Sequence, residues 1–427
     1  MSGNGKKGKV LVIGGGISGI TAVIEASEAG CEVVLVEKNA YLGGRVARMN
    51  QYFPKLCPPS CGLEINYRRL RASTNIRCLT LSQVEKITGE PGRYQVSIQR
   101  TPRFVNNKCT ACGECVKACP VDRPDEFNAG MSTTKAVYVP FDMAYPLQYV
   151  IDGDVCPGAE CGKCVEACPY DAIELDMKPE TVEVEAQAII WATGWEPYEA
   201  GQIEGLGFGS SPNIITNVMM ERLAAKNGPT EGKIQRPSDS KEVETIAFVQ
   251  CAGSRDENYL KHCSGVCCMG SLKQARYVRE QYPEAQIYIF YIDIRAPGRL
   301  EDFYAEVQKD EKLQLIKGKV AKITEDAASG DLVVEAEDTL AGERVNQKVN
   351  LVVLATGIVP ADAAKVSIEA GGNLQRDEHG FLTNDQPLAG MLGAGCAKRP
   401  VDVAACVRDA TGTALKALQI CVEQAGE

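Results

Sequence analysis

The side chains best equipped for chemistry in this sequence are its cysteines, nineteen in 427 residues. Twelve of them stand in three tight groups. Cys109-x2-Cys112-x2-Cys115-x3-Cys119-Pro120 has the gaps that fold a chain around one corner of a [4Fe–4S] cubane, with thiolates on iron and backbone N–H groups turned toward sulfur. Cys156-x4-Cys161-x2-Cys164-x3-Cys168-Pro169 repeats the layout, with two more residues in the first gap. In paired runs of this type the fourth cysteine serves the other cluster. That assigns Cys109, Cys112, Cys115 and Cys168 to one cubane and Cys156, Cys161, Cys164 and Cys119 to the other. Structural zinc is the competing account, but C-x2-C-x2-C-x3-C-P is not a zinc spacing. The third group, Cys251-x11-Cys263-x3-Cys267-Cys268, fits a further metal or cluster site by its vicinal pair, with buried thiols as the alternative.

A second chemical signal is Gly14-Gly15-Gly16-Ile17-Ser18-Gly19, a G-x-G-x-x-G run. It follows the apolar strand pattern of residues 9–13 and opens a helical pattern over 20–29. A second strand pattern, 32–36, ends at Glu37, 18 residues past Gly19. In that context the run is a dinucleotide fingerprint rather than a glycine turn in an empty α/β fold. Gly14 makes the tight turn, Gly16 admits the pyrophosphate, and Gly19 lets helix and strand close up. The helix start offers free amides to phosphate, and Glu37 can bond the ribose. Further along, Gly43-Gly44 permits close approach to a cofactor and Arg45 can pair with its phosphate.

The elements that must position these groups read as two α/β segments with a cysteine-rich insertion. Strand patterns fall at 94–98, 181–184 and 188–192. Residues 208–241, rich in Gly, Pro, Ser and Lys, read as a linker or surface loop. Strands at 245–249, 286–292 and 351–355, with a helix at 270–281, form the second segment, and 403–427 reads as one amphipathic helix. Ala192-Thr193-Gly194 and Ala355-Thr356-Gly357 both end strands. Together with Gly43-Gly44-Arg45 and the single fingerprint, they resemble the two-dinucleotide-domain flavoproteins, the thioredoxin reductase-like superfamily. The resemblance implies an α/β fold of that kind carrying an inserted ferredoxin-like module with two [4Fe–4S] clusters. The expected divisions are 1–104 (first part of the FAD domain), 105–178 (the module), 179–240 (FAD domain continuation and linker), 241–355 (second α/β region with a cluster site) and 356–427 (FAD domain, C-terminal part). It also implies FAD rather than NAD at the fingerprint. The implied contacts come from Gly14, Gly15, Gly16, Ser18, Gly19, Glu37, Lys38, Gly43, Gly44, Arg45, Val84, Ala192, Thr193, Gly194, Gly395, Cys396 and Val403. Two features depart from the superfamily. Its second domain opens with another fingerprint for NAD(P)H, whereas here residues 245–249 run into Gln250-Cys251-Ala252-Gly253-Ser254-Arg255. Its C-terminal Gly-Asp is replaced by Gly395-Cys396, so Cys396 fills the place of the acid.

Cys251-Ala252-Gly253-Ser254-Arg255, Cys263, and Cys267-Cys268-Met269-Gly270-Ser271-Leu272-Lys273 resemble the A-type flavoprotein of heterodisulfide reductase. Tyr138-Val139-Pro140-Phe141 and Pro146-Leu147-Gln148-Tyr149-Val150-Ile151-Asp152 are also similar to it. The resemblance implies a third [4Fe–4S] cluster on Cys251, Cys263, Cys267 and Cys268. It also places Lys273 near the reactive edge of the flavin, as a catalytic residue; a solvated helix lysine is the alternative. The compact architecture is most similar to the branch of quinone-interacting membrane-bound oxidoreductases of sulfate reducers. That branch implies electron relay between the menaquinone pool and adenylylsulfate reductase. Its expected partners are a second flavin and iron–sulfur protein, a quinone-reactive membrane protein and adenylylsulfate reductase. The alternatives are a soluble, electron-bifurcating component of heterodisulfide reductase type and a stand-alone NAD(P)H:acceptor reductase.

Composition agrees with a globular electron carrier. A net charge of −10 disfavours nucleic acid. No apolar run is long enough to span a bilayer, and residues 1–9 lack a signal-peptide core. The expected location is cytoplasmic, peripheral on the inner face of the cytoplasmic membrane through partner subunits, with no direct transmembrane contact. Neither His262 nor His379 sits in a catalytic motif. Cys57-x3-Cys61 is read as ordinary thiols or cofactor packing, with a redox pair as the alternative. Cys31, Cys78, Cys406 and Cys421 are expected as core thiols.

Overall fold

Val10, Leu11, Val12 and Ile13 form an apolar run without alternation, the pattern of a strand covered on both faces. In the computed structural model they lie in Lys9–Ile13, the middle of a five-stranded sheet. Its order is Met391–Gly393, Ala188–Trp191, Lys9–Ile13, Glu32–Val36, Ile76–Leu79, all parallel. Val10 and Val12 pack against the fingerprint helix Ile17–Glu28 and the C-terminal helix Val403–Ala425. Leu11 and Ile13 face the opposite layer, an antiparallel sheet of Glu180–Ala186, Arg93–Arg100 and Ser82–Glu90. Val10, Leu11 and Val12 are 0% exposed, and each such side chain stabilises the fold by about 1.5–3 kcal/mol. On the C-terminal helix Ala410, Ala414, Ala417 and Cys421 recur at helical spacing and are all buried, so small side chains let this helix pack closely on the core.

The structure describes residues 7–361, 366–370, 372, 374–383 and 390–425. They fall into two units: Met1–Trp195 with Pro360–Arg399 and Val403–Glu427, and Glu196–Val359 with Pro400–Asp402. The cysteine-rich insertion belongs to the first unit. Arg100 pairs with Glu180 across the antiparallel sheet, so the chain leaves and returns at one point of a hairpin. Inside the insertion, Gly113 (φ +89°) and Gly162 (φ +59°) each precede a short helix, Glu114–Ala118 and Lys163–Glu166, which gives the internal repeat its structural counterpart. The insertion is anchored to the dinucleotide part. Phe127 and Phe141 lie 5.6 and 5.5 Å from Tyr41, Tyr145 stacks on Tyr67 at 5.4 Å, and the Arg103 guanidinium donates to Ala40 O at 2.6 Å.

The second unit has its own parallel sheet, ordered Ile214–Thr216, Leu351–Thr356, Thr245–Ala252, Gln286–Tyr291, Leu313–Lys317. A three-stranded antiparallel sheet, Val320–Glu325, Leu332–Asp338 and Glu343–Val349, packs beside it. Residues 208–241 are not simply a linker. Ile214-Ile215-Thr216 pairs in parallel with Leu351–Thr356, and Thr216 caps the helix Asn217–Ala224 through Met219 N–H. Two isoleucines and a threonine after Gly, Ser and Pro carry too little period to declare a strand; pairing with a buried neighbour makes it one. Consequently residues 196–240, expected with the FAD domain, belong to the second unit.

Candidate cofactor sites

The fingerprint turn is fixed by contacts that exclude side chains. Gly14 has φ +107° and its N–H donates to Val36 O at 2.8 Å. A Cβ on Gly19 would stand 1.8 Å from Gly14 O, and one on Gly44 would stand 2.8 Å from Gly16 Cα. Gly43 N–H donates to Gly15 O at 2.8 Å, lacing the 42–45 loop to the turn. Outward of this the ground is open: a Cβ on Gly16 would meet nothing nearer than 3.9 Å, and one on Gly194 nothing within 4 Å. With Gly16 at its N-cap, the helix Ile17–Glu28 has no side-chain cap on its first amides. Residues and cradle fit a dinucleotide pyrophosphate.

The charged groups fit as well. Arg45 Nε donates to Trp195 O at 2.8 Å, and its guanidinium sits 4.8 Å from the Trp195 ring. Burial, then repulsion from Arg48, lowers the Arg45 pKa to about 10. A neighbouring anion would reverse both effects. Glu37 is buried, and burial raises its pKa. Its Oε2 accepts from Gly15 N–H at 2.6 Å, and Oε1 from Asn39 N–H and Nδ2 at 2.7 and 2.6 Å. These bonds orient the carboxylate, and its remaining lone pairs suit ribose hydroxyls. Lys38 is exposed. Val84 turns its side chain into the core between the two sheets. Ala192 O closes over Gly14, where a Cβ would approach to 2.3 Å, and Thr193 is half-buried. Gly395 (φ +61°) abuts Ser18: a Cβ there would be 2.0 Å from Ser18 Oγ. Gly395 N–H donates to Asp409 Oδ2 at 2.7 Å, and Asp409 also holds Lys398 at 2.7 Å. An acid therefore stands at this turn, but it comes from the C-terminal helix, whose first residue is Val403, and it is engaged with Gly395 and Lys398. No motif around Asp409 announced this. Cys396 points its thiol at Cys406, Sγ to Sγ 3.6 Å.

In the insertion, Cys109, Cys112, Cys115 and Cys168 line one cavity, with Val105, Tyr149, Tyr170 and Ile173. Cys119, Cys156, Cys161 and Cys164 line another, with Pro120, Val137 and Ile151. Each holds about 310 Å³ of empty space, open solvent included. The fourth cysteine of each run therefore stands with the other run. Among the described residues no three His, Cys, Asp or Glu side chains close on a point as for a single metal ion. The thiols ring a space instead, which suits a cubane. Ala111 N–H donates to Cys109 Sγ at 3.5 Å and Ala172 N–H to Cys168 Sγ at 3.4 Å. Burial, then Cys109, raises Cys115 to about 12, and burial followed by Cys156 raises Cys164. These thiols stay protonated until iron displaces the protons.

The third group gathers in the second unit. Cys251 (φ +55°) sits where the strand Thr245–Ala252 shifts register, and Cys267 and Cys268 open the helix Cys267–Gln281. Burial, then Cys268, raises Cys251 to about 11. Burial raises Cys267 further, with Cys268, Cys251 and Cys263 adding to it, so all four thiols are neighbours. Gly265 N–H donates to Cys263 Sγ at 3.4 Å. Ser254 Oγ and both amide atoms of Gln250 are buried without a hydrogen-bond partner. Orphaned polar atoms beside Cys251 in the chain fit a sulfur-rich group that accepts hydrogen bonds.

Lys273 is not a solvated lysine. It is 5% exposed, and its Nζ lies 3.0 Å from Glu221 Oε1. Gln274 Nε2 donates to the same oxygen at 2.8 Å, and Tyr277 OH donates to Glu221 Oε2 at 3.4 Å. Glu221 lies on the helix Asn217–Ala224, inside the stretch that sequence texture marked as a linker, so its role was not legible.

Comparison with known proteins bears on the fingerprint and on the first two cysteine runs. The FAD dependent oxidoreductase family model matches residues 9–56. The 4Fe-4S binding domain model matches 102–122 and 160–174, which takes in the first cysteine run and Cys161, Cys164 and Cys168 of the second. One of the A-type iron-sulfur subunits of CoB--CoM heterodisulfide reductase from Methanopyrus kandleri is 40% identical over 420 residues, 96% of this chain. Over almost its whole length the chain is thus similar to the A-type proteins of heterodisulfide reductase. The corresponding iron-sulfur protein of Methanocaldococcus jannaschii is 38% identical over 419 residues, 95% of this chain. The chain spans 64% and 63% of the lengths of these relatives. Among solved structures, T. acidophilum thioredoxin reductase aligns over 98% of both chains with TM-score 0.53 at 13% identity. Lactococcus lactis thioredoxin reductase aligns over 97% of this chain and 99% of its own, with TM-score 0.54 at 14% identity. The chain thus has the thioredoxin reductase-like FAD oxidoreductase fold with [4Fe–4S] binding segments inserted. Among its described residues no helix is long and apolar enough to cross a membrane.

Proposed function

We infer that this chain is the electron-transfer subunit of a heterodisulfide reductase-type oxidoreductase complex, carrying FAD and three [4Fe–4S] clusters. The observation that carries the reading is the pair of four-cysteine cavities in the same unit as the glycine cradle. FAD exchanges electrons singly or in pairs and a [4Fe–4S] cluster takes one, so the set splits or merges electron pairs. The chain's residues supply position and tuning. The 14–19 turn and the 42–45 loop hold the dinucleotide, with Arg45 supplying charge for its phosphates. The Ala111 and Ala172 amides bond cluster thiolates, which shifts potentials upward. Tyr149, Val105 and Ile173 keep water from one cluster, and Val137 and Ile151 from the other. Cys251, Cys263, Cys267 and Cys268 hold the third cluster. Lys273 is held by Glu221 inside the second unit, beside the helix start that carries Cys267 and Cys268.

The relatives' names speak of heterodisulfide reductases, which favours a complex of that type over the quinone-linked one. The narrower reading, relay between menaquinone and adenylylsulfate reductase at the inner membrane face, has only the compact architecture in its favour. Anaerobic purification from the native source separates the two. Soluble redox partners support the first, and a membrane cytochrome-type partner selects the second. Filled sites give about twelve iron and twelve sulfide per FAD. Rapid bleaching of the flavin by NADH or NADPH in the isolated protein would overturn the relay reading in favour of a stand-alone reductase.

A further inference from the structure

Seven cysteines lie outside the three ligand groups; Cys31 meets Cys421 in the core beneath the C-terminal helix, and Cys396 meets Cys406. Cys396 and Cys406 are 4% and 5% exposed, and their sulfurs are 3.6 Å apart. Cys396 lies in the short turn Gly395–Ala397, and Cys406 in the first turn of the C-terminal helix Val403–Ala425. The turn is seated on the fingerprint helix, where Gly395 abuts Ser18, and is tied to the C-terminal helix by the Gly395 to Asp409 bond. A bond between the two sulfurs would need an approach of about 1.5 Å. It would join the turn covalently to that helix.

We propose that Cys396 and Cys406 form a reversible redox-modification site, a dithiol that closes to a disulfide by exchange with a low-molecular-weight disulfide. One cysteine sulfur attacks the small disulfide, a mixed disulfide forms and one small thiol leaves. The second cysteine sulfur attacks the mixed disulfide, the Cys396–Cys406 bond forms and the second small thiol leaves. The two cysteines lose two electrons and two protons, and the small disulfide gains both. Neither sulfur is a cluster ligand, so the change leaves iron in place. Its effect is mechanical. The closed bond clamps the turn that abuts the dinucleotide cradle and slows release of the cofactor. Both sulfurs are buried, so exchange waits on local opening and is slower than at the exposed Cys61.

The test uses anaerobic holoprotein equilibrated at a series of oxidised to reduced glutathione ratios, restricted to those that leave the iron content unchanged. Free thiols are blocked with iodoacetamide and the protein is digested with trypsin. Cleavage after Lys398 separates the two cysteines, so the disulfide appears as two joined peptides. The joined species should rise with oxidation, disappear on reduction and follow Cys61 modification in time. Closing a ten-residue loop opposes its complete opening by about 100-fold, so FAD release, which needs part of that opening, should slow on the order of tenfold. In Cys406→Ser the joined species should be absent and FAD release should no longer depend on the glutathione ratio. No joined species in the wild-type protein at any ratio overturns the site. A joined species with unchanged FAD release overturns the clamp. If Cys406→Ser fails to retain FAD at all, the wild-type peptide and release measurements decide alone.

Discussion

Exchange of the fourth cysteine between the two runs makes an unusual quantitative demand on iron content. Cys112 and Cys168 lie 56 residues apart but line one cavity, whereas Cys164 and Cys168 lie four apart and line different ones. A ligand replaced by alanine leaves three thiolates, and loss of a whole cubane removes about four iron. Cys112→Ala and Cys168→Ala should therefore each lose about four iron per chain. The double variant should lose no more than either single one, because both changes empty the same cavity. Cys164→Ala with Cys168→Ala should lose about eight, although both residues sit in one run. The assay is anaerobic iron and sulfide analysis, with low-temperature electron paramagnetic resonance of the reduced protein to count clusters. The same signal should vanish in Cys112→Ala and Cys168→Ala, and a different one in Cys119→Ala. The reasoning is refuted if the Cys112 and Cys168 losses add while the Cys164 and Cys168 losses coincide, since each run would then hold its own cluster.

Lys273→Met strands the buried Glu221 carboxylate and should cost about 3–5 kcal/mol in denaturant unfolding of the holoprotein; adding Glu221→Gln should recover much of that loss, and a solvent-facing lysine would show neither effect. Gly19→Ala drives a methyl against Gly14 O and should cost at least about 1–3 kcal/mol together with FAD, read by flavin absorbance after gel filtration. Burial raises the Glu37 pKa above its ordinary value of 4.5. The folded FAD-free protein therefore holds that proton more tightly than the unfolded chain does. The resulting stability is fully present below about 4.5 and fades as pH rises through the folded pKa. Glu37→Gln should flatten that part of the thermal-stability profile while weakening FAD retention, and an unaltered profile would mean that Glu37 does not titrate in this range.

The sequence by itself determined the local chemistry. The cysteine gaps specify a cubane because the ligands and the amides that bond sulfur lie within one short turn of chain. The glycine fingerprint was equally legible, since a strand, a turn without side chains and a helix start all fall within residues 9–28, and the structure shows why Gly19 and Gly44 admit no Cβ. The helix Val403–Ala425 showed itself by period alone. What only the tertiary structure decided are contacts between segments far apart in the chain. Ile214-Ile215-Thr216 looked like loop text and became a strand because Leu351–Thr356 lies beside it. That pairing starts the helix bearing Glu221, which makes Lys273, expected at the flavin with a solvated lysine as the alternative, half of a buried ion pair. Asp409 reaches Gly395, and Cys406 reaches Cys396, only because the C-terminal helix returns to the first sheet. Local patterns follow from backbone geometry and spacing. The partner of a buried charge or thiol follows from how elements pack, and no short stretch of sequence encodes that.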